Sequence, residues 1–225
     1  MLPLVIGHRG MVQFGHENTL SAVICAANFN IQAIEVDARL TKDEKTIVFH
    51  DDTIELLNGE KGFVKDFEFR KLSAYKTKIP LLKDIIKLCF NKNIFLNIEI
   101  KAKYDDSKFQ IICKEICTHS KPETTMISSY NIKVLESAQY IIPDFDRMYI
   151  VDKIPNEWLS LLKKHKCKAF AVSIVHNTIE EIIHISLFGY PIYVFTVNDK
   201  ETFNILTYHN IGVITDFPYT LSKYR

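Results

Sequence analysis

Short β-branched apolar runs alternate along the whole chain with stretches whose apolar residues recur at helical spacing. The intervening stretches, such as Leu20–Phe29 and Leu81–Phe90, follow the three-to-four-residue period of an amphipathic helix, with Asn18 as a predicted N-cap of the first. Strict alternation of strand and helix is typical of an α/β fold whose parallel strands are joined by crossover helices. The predicted strands are Leu4–Gly7, Ile34–Leu40, Thr46–His50, Ile94–Lys101, Thr124–Ser128, Arg147–Val151, Ala169–Ile174, Pro191–Val197 and Gly212–Thr215.

The connection between the second and third runs is too short for a parallel crossover, because only Thr41–Lys45 separates them. These two runs are therefore predicted to form a β-hairpin, which leaves eight parallel strands for a (βα)8 TIM barrel. The hairpin brings His50 opposite Asp37, within one residue of register. We expect residues 1–225 to form a single domain, in which the long irregular segment from His50 to Pro80 forms a lid or small subdomain.

Charged side chains occur inside two of the predicted strands. Residues two apart on a strand share a face, so Glu35 points with Asp37, and Glu99 with Lys101. The interior of such a barrel normally takes Val, Ile and Leu. Two carboxylates about 4 Å apart repel by roughly 4 kcal/mol at an effective dielectric of 20, so three need a proton or a divalent cation between them. Oxygen ligands favour Mg²⁺ or Ca²⁺. The alternative is a half-exposed strand whose carboxylates pair with Lys or Arg.

The sequence Gly7-His8-Arg9-Gly10 closes the first strand, at the end of the barrel where active sites are built. His8 is a candidate proton-transfer group, and Arg9 offers donors matched to a phosphate. Alone, this motif is equally typical of an exposed basic turn. Together with His50, Lys101 and the carboxylates, it indicates metal-assisted phosphoryl chemistry, in which one histidine removes a proton and the other protonates the leaving oxygen.

Further short motifs follow one another along the chain. With Gly7-His8-Arg9-Gly10 they are Glu17-Asn18-Thr19, Glu35-Val36-Asp37, Thr41-Lys42-Asp43, His50-Asp51, Ile79-Pro80-Leu81, Ile98-Glu99-Ile100-Lys101, Ser128-Ser129, Thr196-Val197-Asn198 and Thr215-Asp216-Phe217-Pro218. In order and spacing, this set resembles the glycerophosphodiester phosphodiesterase family over essentially the whole chain. The resemblance implies a TIM barrel of lipid and glycerol metabolism that hydrolyses glycerophosphodiesters to sn-glycerol 3-phosphate and an alcohol.

The resemblance also implies roles for individual residues. Glu35, Asp37 and Glu99 would bind the metal. His8 and His50 would be the acid–base pair, and Arg9 and Lys101 would bind the phosphate. The family is thought to let a neighbouring glycerol hydroxyl attack phosphorus through a cyclic intermediate, and direct attack by water remains the alternative here.

Three positions depart from the family pattern. His16 stands where the family usually has Pro, and Glu55-Leu56-Leu57 replaces Arg-Thr-Thr. Phe195 stands where the family usually has Trp, and it is predicted to line the substrate pocket. None of these departures falls on the seven proposed catalytic positions.

Two other functions are compatible with the same barrel. A phosphodiesterase acting on lysophospholipid or phosphoinositide-like diesters would need an apolar docking surface, which Phe63, Phe67 and Phe69 could supply. A barrel that binds a phosphorylated ligand without turnover is the second, although such a protein has no use for an acid–base pair.

Charge, hydropathy and cysteine content bear on the binding partners and the cellular location of the protein. With 28 basic and 27 acidic residues, the net charge of +1 gives no sign of a nucleic-acid binder. No apolar run approaches the ~18 residues of a membrane span. The five scattered cysteines favour reduced thiols and a cytoplasmic protein. Cys113 and Cys117, one helical turn apart near His119, raise zinc as an alternative, but a closed zinc site wants four ligands.

Overall fold

The computed structural model describes residues 2–101 and 108–224, which form eleven strands and eight α-helices. The strands are β1 Val5–Gly7, β2 Ala33–Leu40, β3 Thr46–Val48, β4 Thr53–Glu55, β5 Lys61–Phe63, β6 Phe95–Ile100, β7 Thr125–Ser129, β8 Asp146–Val151, β9 Ala169–Ser173, β10 Ile192–Phe195 and β11 Gly212–Thr215. The helices are α1 Leu20–Asn28, α2 Leu82–Asn91, α3 Phe109–His119, α4 Ile132–Ile141, α5 Trp158–Lys164, α6 Ile179–Ser186, α7 Lys200–Tyr208 and α8 Pro218–Ser222.

Eight of these strands close into a parallel barrel. Their order is β1, β11, β10, β9, β8, β7, β6, β2, and the circle closes where Gly7 of β1 pairs with Ile34 of β2. A helix follows each barrel strand before the next one begins, as crossover connections between parallel strands require. The predicted (βα)8 TIM barrel is confirmed.

The predicted hairpin is also present. Strand β3 pairs antiparallel with β2 at the outside of the barrel, with Ala38 opposite Val48. The next residue, Phe49, donates its amide to the Asp37 carbonyl at 2.9 Å, so His50 lies one residue beyond the position opposite Asp37. That is within the predicted register.

Alternate residues of each barrel strand face two different cores. On β2, Ile34 and Val36 belong to the large cluster between the barrel and its helices, whereas Ala33 belongs to a smaller cluster inside the barrel. The inner cluster is apolar and consists of Ile6, Ala33, Met126, Met148, Ile150, Ala169, Ala171, Tyr193 and Ile214. The charged positions of β2 and β6 therefore lie on the inward face, above an apolar plug.

The segment between β3 and α2 forms the small subdomain that the sequence predicts. It consists of the β4–β5 hairpin and two 3-10 turns, Val64–Asp66 and Phe69–Ala74. Its core is a separate cluster formed by Ile47, Ile54, Leu56, Val64, Phe67, Leu72 and Ile79. Phe67 is only 5% exposed and Phe69 packs against this core, whereas Phe63 is 44% exposed. The expected aromatic docking surface is therefore wrong for Phe67, which is buried in the subdomain core, whereas Phe69 is partly buried against that core.

Helix α3 carries the two cysteines considered for zinc. Cys113 faces the core, where burial raises the pKa of its thiol to about 12, whereas Cys117 is exposed. The two sulfur atoms thus lie in different environments. None of the helices in residues 2–101 and 108–224 has the length and apolar character to cross a membrane.

Candidate active site

Three carboxylates meet inside the barrel near the carboxyl ends of β2 and β6. Asp37 pairs in register with Glu99 on the neighbouring strand, and Glu35 lies two residues before Asp37 on the same face. One oxygen of each residue lies within 4.8 Å of the others, and all three side chains are buried. This is the convergence that the spacing of the charged residues predicts.

Two cations lie against this carboxylate cluster. Lys101 Nζ is 3.1 Å from Asp37 Oδ1 and 2.6 Å from Glu99 Oε1, and Arg9 Nε is 3.7 Å from Asp37 Oδ2. Arg9 also donates through Nη1 to Glu17 Oε2 at 2.9 Å. Burial alone would lower the pKa of Lys101, but Asp37 and Glu99 outweigh it and raise that pKa. Pairing with Lys and Arg, the alternative considered from the sequence, therefore occurs in the barrel interior and not on a half-exposed strand.

Glu35 remains incompletely compensated. Its Oε2 accepts the Arg9 backbone N–H at 2.9 Å, but its buried Oε1 has no hydrogen-bond partner among the described residues. Burial, together with the charges of Asp37 and Glu99, raises the pKa of Glu35 well above its usual range. Burial opposes ionisation of Asp37 as well, but Lys101 and Asn18 are among the groups that hold its pKa below the usual value. A hard divalent cation suits an oxygen-only set that contains a free buried oxygen.

The loop after β1 brings the Arg9 backbone to Glu35. Gly10 has a φ of +94°, and a Cβ there would lie 2.7 Å from the Ala22 side chain, so only glycine fits. Arg9 itself has a φ of +53°, in the left-handed region. The Gly10 amide donates to the Glu35 carbonyl at 2.9 Å, which pins this loop to β2.

Asn18 holds Asp37 from the other side. Its Nδ2 donates to Asp37 Oδ2 at 2.7 Å, and its Oδ1 accepts from the Asp37 backbone amide at 3.1 Å. The predicted N-cap at Asn18 is wrong by one residue, because the Thr19 side chain caps α1 by accepting from Ala22. Asn18 is free of the capping role and fixes a carboxylate instead.

His8 is hydrogen-bonded to a carboxylate that directly follows the last strand of the barrel. Its Nδ1 lies 2.7 Å from Asp216 Oδ1. Asp216 Oδ2 accepts from Asn198 Nδ2 at 2.7 Å, and Asn198 Oδ1 accepts from the Asp216 amide at 3.0 Å. The hydrogen bond from His8, reinforced by Asn198, holds the pKa of Asp216 below its usual value although the group is partly buried. Strands β1 and β11 are register neighbours, with Gly7 opposite Thr215, which places the two motifs side by side.

His50 follows β3 and has a different set of partners. Its Nδ1 lies 2.7 Å from Oδ1 of the adjacent Asp51, and its carbonyl accepts from Arg39 Nε and Nη2 at 2.9 and 2.5 Å. Arg39 also pairs with Asp52 at 2.6 Å. Asp51 thus orients the imidazole. Burial lowers the pKa of His50 below 6.5, against the opposing effects of Asp37 and Asp51.

An aromatic wall stands beside Lys101. Phe195, at the end of β10, contacts Tyr130 edge-on with ring centroids 6.2 Å apart, and Lys101 Nζ lies 5.9 Å from the Tyr130 ring centroid. The Tyr130 hydroxyl is within 3.2 Å of Asp152 Oδ1. Phe195 therefore packs on Tyr130, a residue that no motif of the sequence indicates, and its place in a substrate pocket stays a prediction.

A cavity of about 670 Å³ opens between Asp51 and the small subdomain. Phe49 and Tyr75, which meet edge-on with centroids 5.3 Å apart, form part of its wall. The departing sequence Glu55-Leu56-Leu57 lines the same cavity. The segment that differs from the family pattern thus lines a cavity that also reaches Asp51, the residue after His50.

The chain matches the sequence model of the Glycerophosphoryl diester phosphodiesterase family over residues 8–220. The chain belongs to that family. A glycerophosphodiester phosphodiesterase of Caldanaerobacter subterraneus subsp. tengcongensis is 30% identical over 98% of this chain and 97% of the relative. One from Bacillus altitudinis is 28% identical over 98% of this chain and 97% of its own.

Solved structures show the same architecture for this glycerophosphodiester phosphodiesterase family. An Oleispira antarctica phosphodiesterase in complex with its product, sn-glycerol-3-phosphate, has a TM-score of 0.88 at 24% identity, covering 99% of this chain and 96% of its own. A Thermotoga maritima glycerophosphodiester phosphodiesterase has a TM-score of 0.81 at 24% identity, covering 100% of this chain and 99% of its own. The predicted family and the enzyme class, a phosphoric diester hydrolase, are confirmed.

Proposed function

We propose that this family member hydrolyses glycerophosphodiesters to sn-glycerol 3-phosphate and an alcohol, with a divalent cation held by Glu35, Asp37 and Glu99. The observation that carries the proposal is the buried carboxylate cluster itself, which lies near the carboxyl ends of β2 and β6 and in which Glu35 Oε1 has no hydrogen-bond partner within residues 2–101 and 108–224. The names of the relatives and the product bound to the Oleispira antarctica phosphodiesterase support this choice of substrate. A single domain over residues 1–225 and a cytoplasmic location belong to the same proposal.

Mg²⁺ and Ca²⁺ are the proposed cations, because the three ligands offer only oxygen. When bound, such an ion supplies positive charge that stabilises the phosphoryl oxygens as negative charge develops on them. Arg9 and Lys101 neutralise the carboxylates in this structure, and we infer that they also donate to the phosphoryl oxygens of the substrate.

His8 and His50 are the proposed acid–base pair. A carboxylate only accepts hydrogen bonds, so Asp216 and Asp51 keep the proton on Nδ1 of each imidazole. Nε2 of each ring is then free to exchange a proton with substrate. One histidine takes the proton of the attacking hydroxyl while the other protonates the leaving alcohol oxygen. Attack by water gives glycerol 3-phosphate directly, whereas attack by the glycerol hydroxyl gives a cyclic phosphate that water then opens with the roles of the two histidines reversed. The rings of Phe195 and Tyr130 contact one side of the bound substrate. The alcohol portion binds in the cavity beside Asp51.

Release of glycerol 3-phosphate from glycerophosphocholine tests the proposal. We expect release with Mg²⁺ or Ca²⁺, loss of release with EDTA, and recovery when the cation is restored in excess. Glu35→Gln keeps the shape of the side chain but removes a ligand charge, so it should require much more cation. Binding of the substrate without release, with every divalent ion tried, would contradict the proposal and leave the non-catalytic phospho-ligand barrel.

A lysophospholipid is the second candidate substrate. Choline is the alcohol that leaves lysophosphatidylcholine, whereas the acyl chain is carried by the glycerol unit, so in this candidate the cavity beside Asp51 takes the acylated glycerol. Leu57, which lines this cavity and is 75% exposed, and Phe63 of the same subdomain, which is 44% exposed, offer apolar surface for the acyl chain. Replacing glycerophosphocholine by lysophosphatidylcholine and measuring choline release distinguishes the two. Faster turnover of the lysophospholipid, lost in Leu57→Ser, would favour the second candidate.

A further inference from the structure

Two buried polar side chains lie on the inward face of the barrel close to the carboxylate cluster. Asn97 on β6 and Ser128 on β7 are both 0% exposed. Their strand neighbours Ile98 and Ile127 belong to the outer cluster, so Asn97 and Ser128 point into the barrel. The inner cluster of the barrel, from Ile6 to Ile214, is apolar apart from the Tyr193 hydroxyl, which donates to the Pro3 carbonyl. These two positions therefore break the apolar filling of the interior.

The barrel register places each of these residues beside a proposed metal ligand. Asn97 is the partner of Glu35 on β2, and Ser128 is the partner of Glu99 on β6. Neighbouring strands lie about 4.8 Å apart, and side chains of register partners share a face. The Asn97 amide thus adjoins Glu35, and the Ser128 hydroxyl adjoins Glu99.

Neither side chain makes a hydrogen bond within the part of the chain that the structure describes. Among the residues that the structure describes, neither Asn97 Nδ2 nor Oδ1 has a hydrogen-bond partner, and the same is true of Ser128 Oγ and Glu35 Oε1. Buried polar groups are nearly always satisfied in folded proteins, so grouping of such atoms on three adjacent strands points to a common function. Rotation of the Asn97 amide or one bridging water would join these groups.

We propose that Asn97 and Ser128 are positioning residues for the metal ligands: the Asn97 amide donates toward Glu35 Oε1, and the Ser128 hydroxyl toward Glu99. A carboxylate oxygen has two lone pairs, so Glu35 Oε1 can accept from Asn97 and still offer a lone pair to the cation. This inference rests on the metal site proposed above. Donors behind ligating carboxylates fix their orientation, and losing such a donor typically weakens metal binding by about 10–100-fold. The physical reason is that a ligand held in one orientation loses less freedom when the cation arrives.

Titration calorimetry of the metal-free protein with Mg²⁺ and Ca²⁺, alongside thermal unfolding, tests this directly. We expect Asn97→Leu and Asn97→Ala each to raise the Kd of the cation about tenfold or more. Their stabilities should move differently, because Leu fills the space with an apolar group whereas Ala leaves a cavity. Ser128→Ala should weaken binding less. At saturating cation, kcat of the Asn97 variants should return toward the original value, because the amide acts through Glu35.

Met126→Leu is the matched control, since Met126 is the register partner of Asn97 on β7, lies in the same interior, and the change conserves volume. It should leave the Kd unchanged. If both Asn97 variants bind the cation as tightly as the original chain, the inference is wrong while the metal site stands. If the original chain binds no divalent cation, the metal site itself fails and the inference fails with it.

Discussion

The two histidines of the site make the same first contact and differ at the second. In both, Nδ1 lies 2.7 Å from an aspartate oxygen. Asp216, the partner of His8, is held in turn by Asn198 through two hydrogen bonds and is 30% exposed. Asp51, the partner of His50, is 67% exposed, and Arg39 holds the backbone carbonyl of His50 instead.

This difference separates two ways of orienting an imidazole. For His8, orientation passes through a chain of side chains, so a change at Asp216 disturbs a fixed network. For His50, an exposed carboxylate of the adjacent residue orients the ring, and Arg39 fixes the backbone that carries it. We therefore expect equal dependence on the two rings but unequal dependence on the two carboxylates.

The largest expected effect is loss of the rings themselves. His8→Ala and His50→Ala should each lower kcat by about 10²–10⁴-fold, the usual contribution of one proton-transfer group. Cation binding, measured by calorimetry, should remain, because the carboxylates are unchanged. An active variant of either kind would show that the ring in question is not part of the acid–base pair.

An intermediate effect is expected at Asp216. In Asp216→Asn, the new amide NH₂ would meet the Asn198 NH₂, so it would turn toward His8 and move the ring proton from Nδ1 to Nε2. We expect a fall in kcat on the order of 10²-fold, with KM little changed, because the wrong tautomer is favoured.

Asp51→Asn is the matched comparison, since the exposed amide can rotate until its oxygen accepts from His50. A loss of only a few-fold in kcat is expected there. Equal losses of kcat in Asp216→Asn and Asp51→Asn would contradict the distinction between the two histidine–aspartate pairs.

The smallest effect concerns proton affinity. Burial holds the pKa of His50 below 6.5, and the Asp51 carboxylate opposes that shift by stabilising the imidazolium. Asp51→Asn should therefore lower the pKa of His50 further, so that its titration moves to more acidic pH. Titration of the His50 ring signals by NMR in both proteins measures this. An upward movement would contradict the assigned cause.

The parts of this structure that could be predicted are those set by local spacing. The eight strands and the β2–β3 hairpin follow from alternation and from the five-residue connection. The meeting of Glu35, Asp37 and Glu99 follows from the two-residue period of a strand once β2 and β6 are neighbours. These features depend on the periodic spacing of residues along the chain, and a single sequence is enough to show that spacing.

The contacts that the sequence did not reveal arise from closure of the barrel or from residues whose type suits more than one local role. Asp216 lies 208 residues from His8, and the two meet because the last strand pairs with the first. That closure was a usable signal, since both residues follow their strands at the same end. Asn18 is a good helix cap by type, and its bonds to Asp37 reflect tertiary contact. Phe67 and Phe69 lie in a short irregular segment, where no period indicates which side becomes the core.

The small subdomain with its own core has a consequence for substrate specificity. Its apolar cluster is separate from both barrel cores, and it supplies Ile54, Glu55, Leu56 and Leu57 to the cavity beside Asp51. Substitutions in that wall are therefore buffered from the strands that carry the carboxylates. If the alcohol binds in this cavity as proposed, changes within this one module would alter which alcohol is accepted and leave the carboxylate cluster intact.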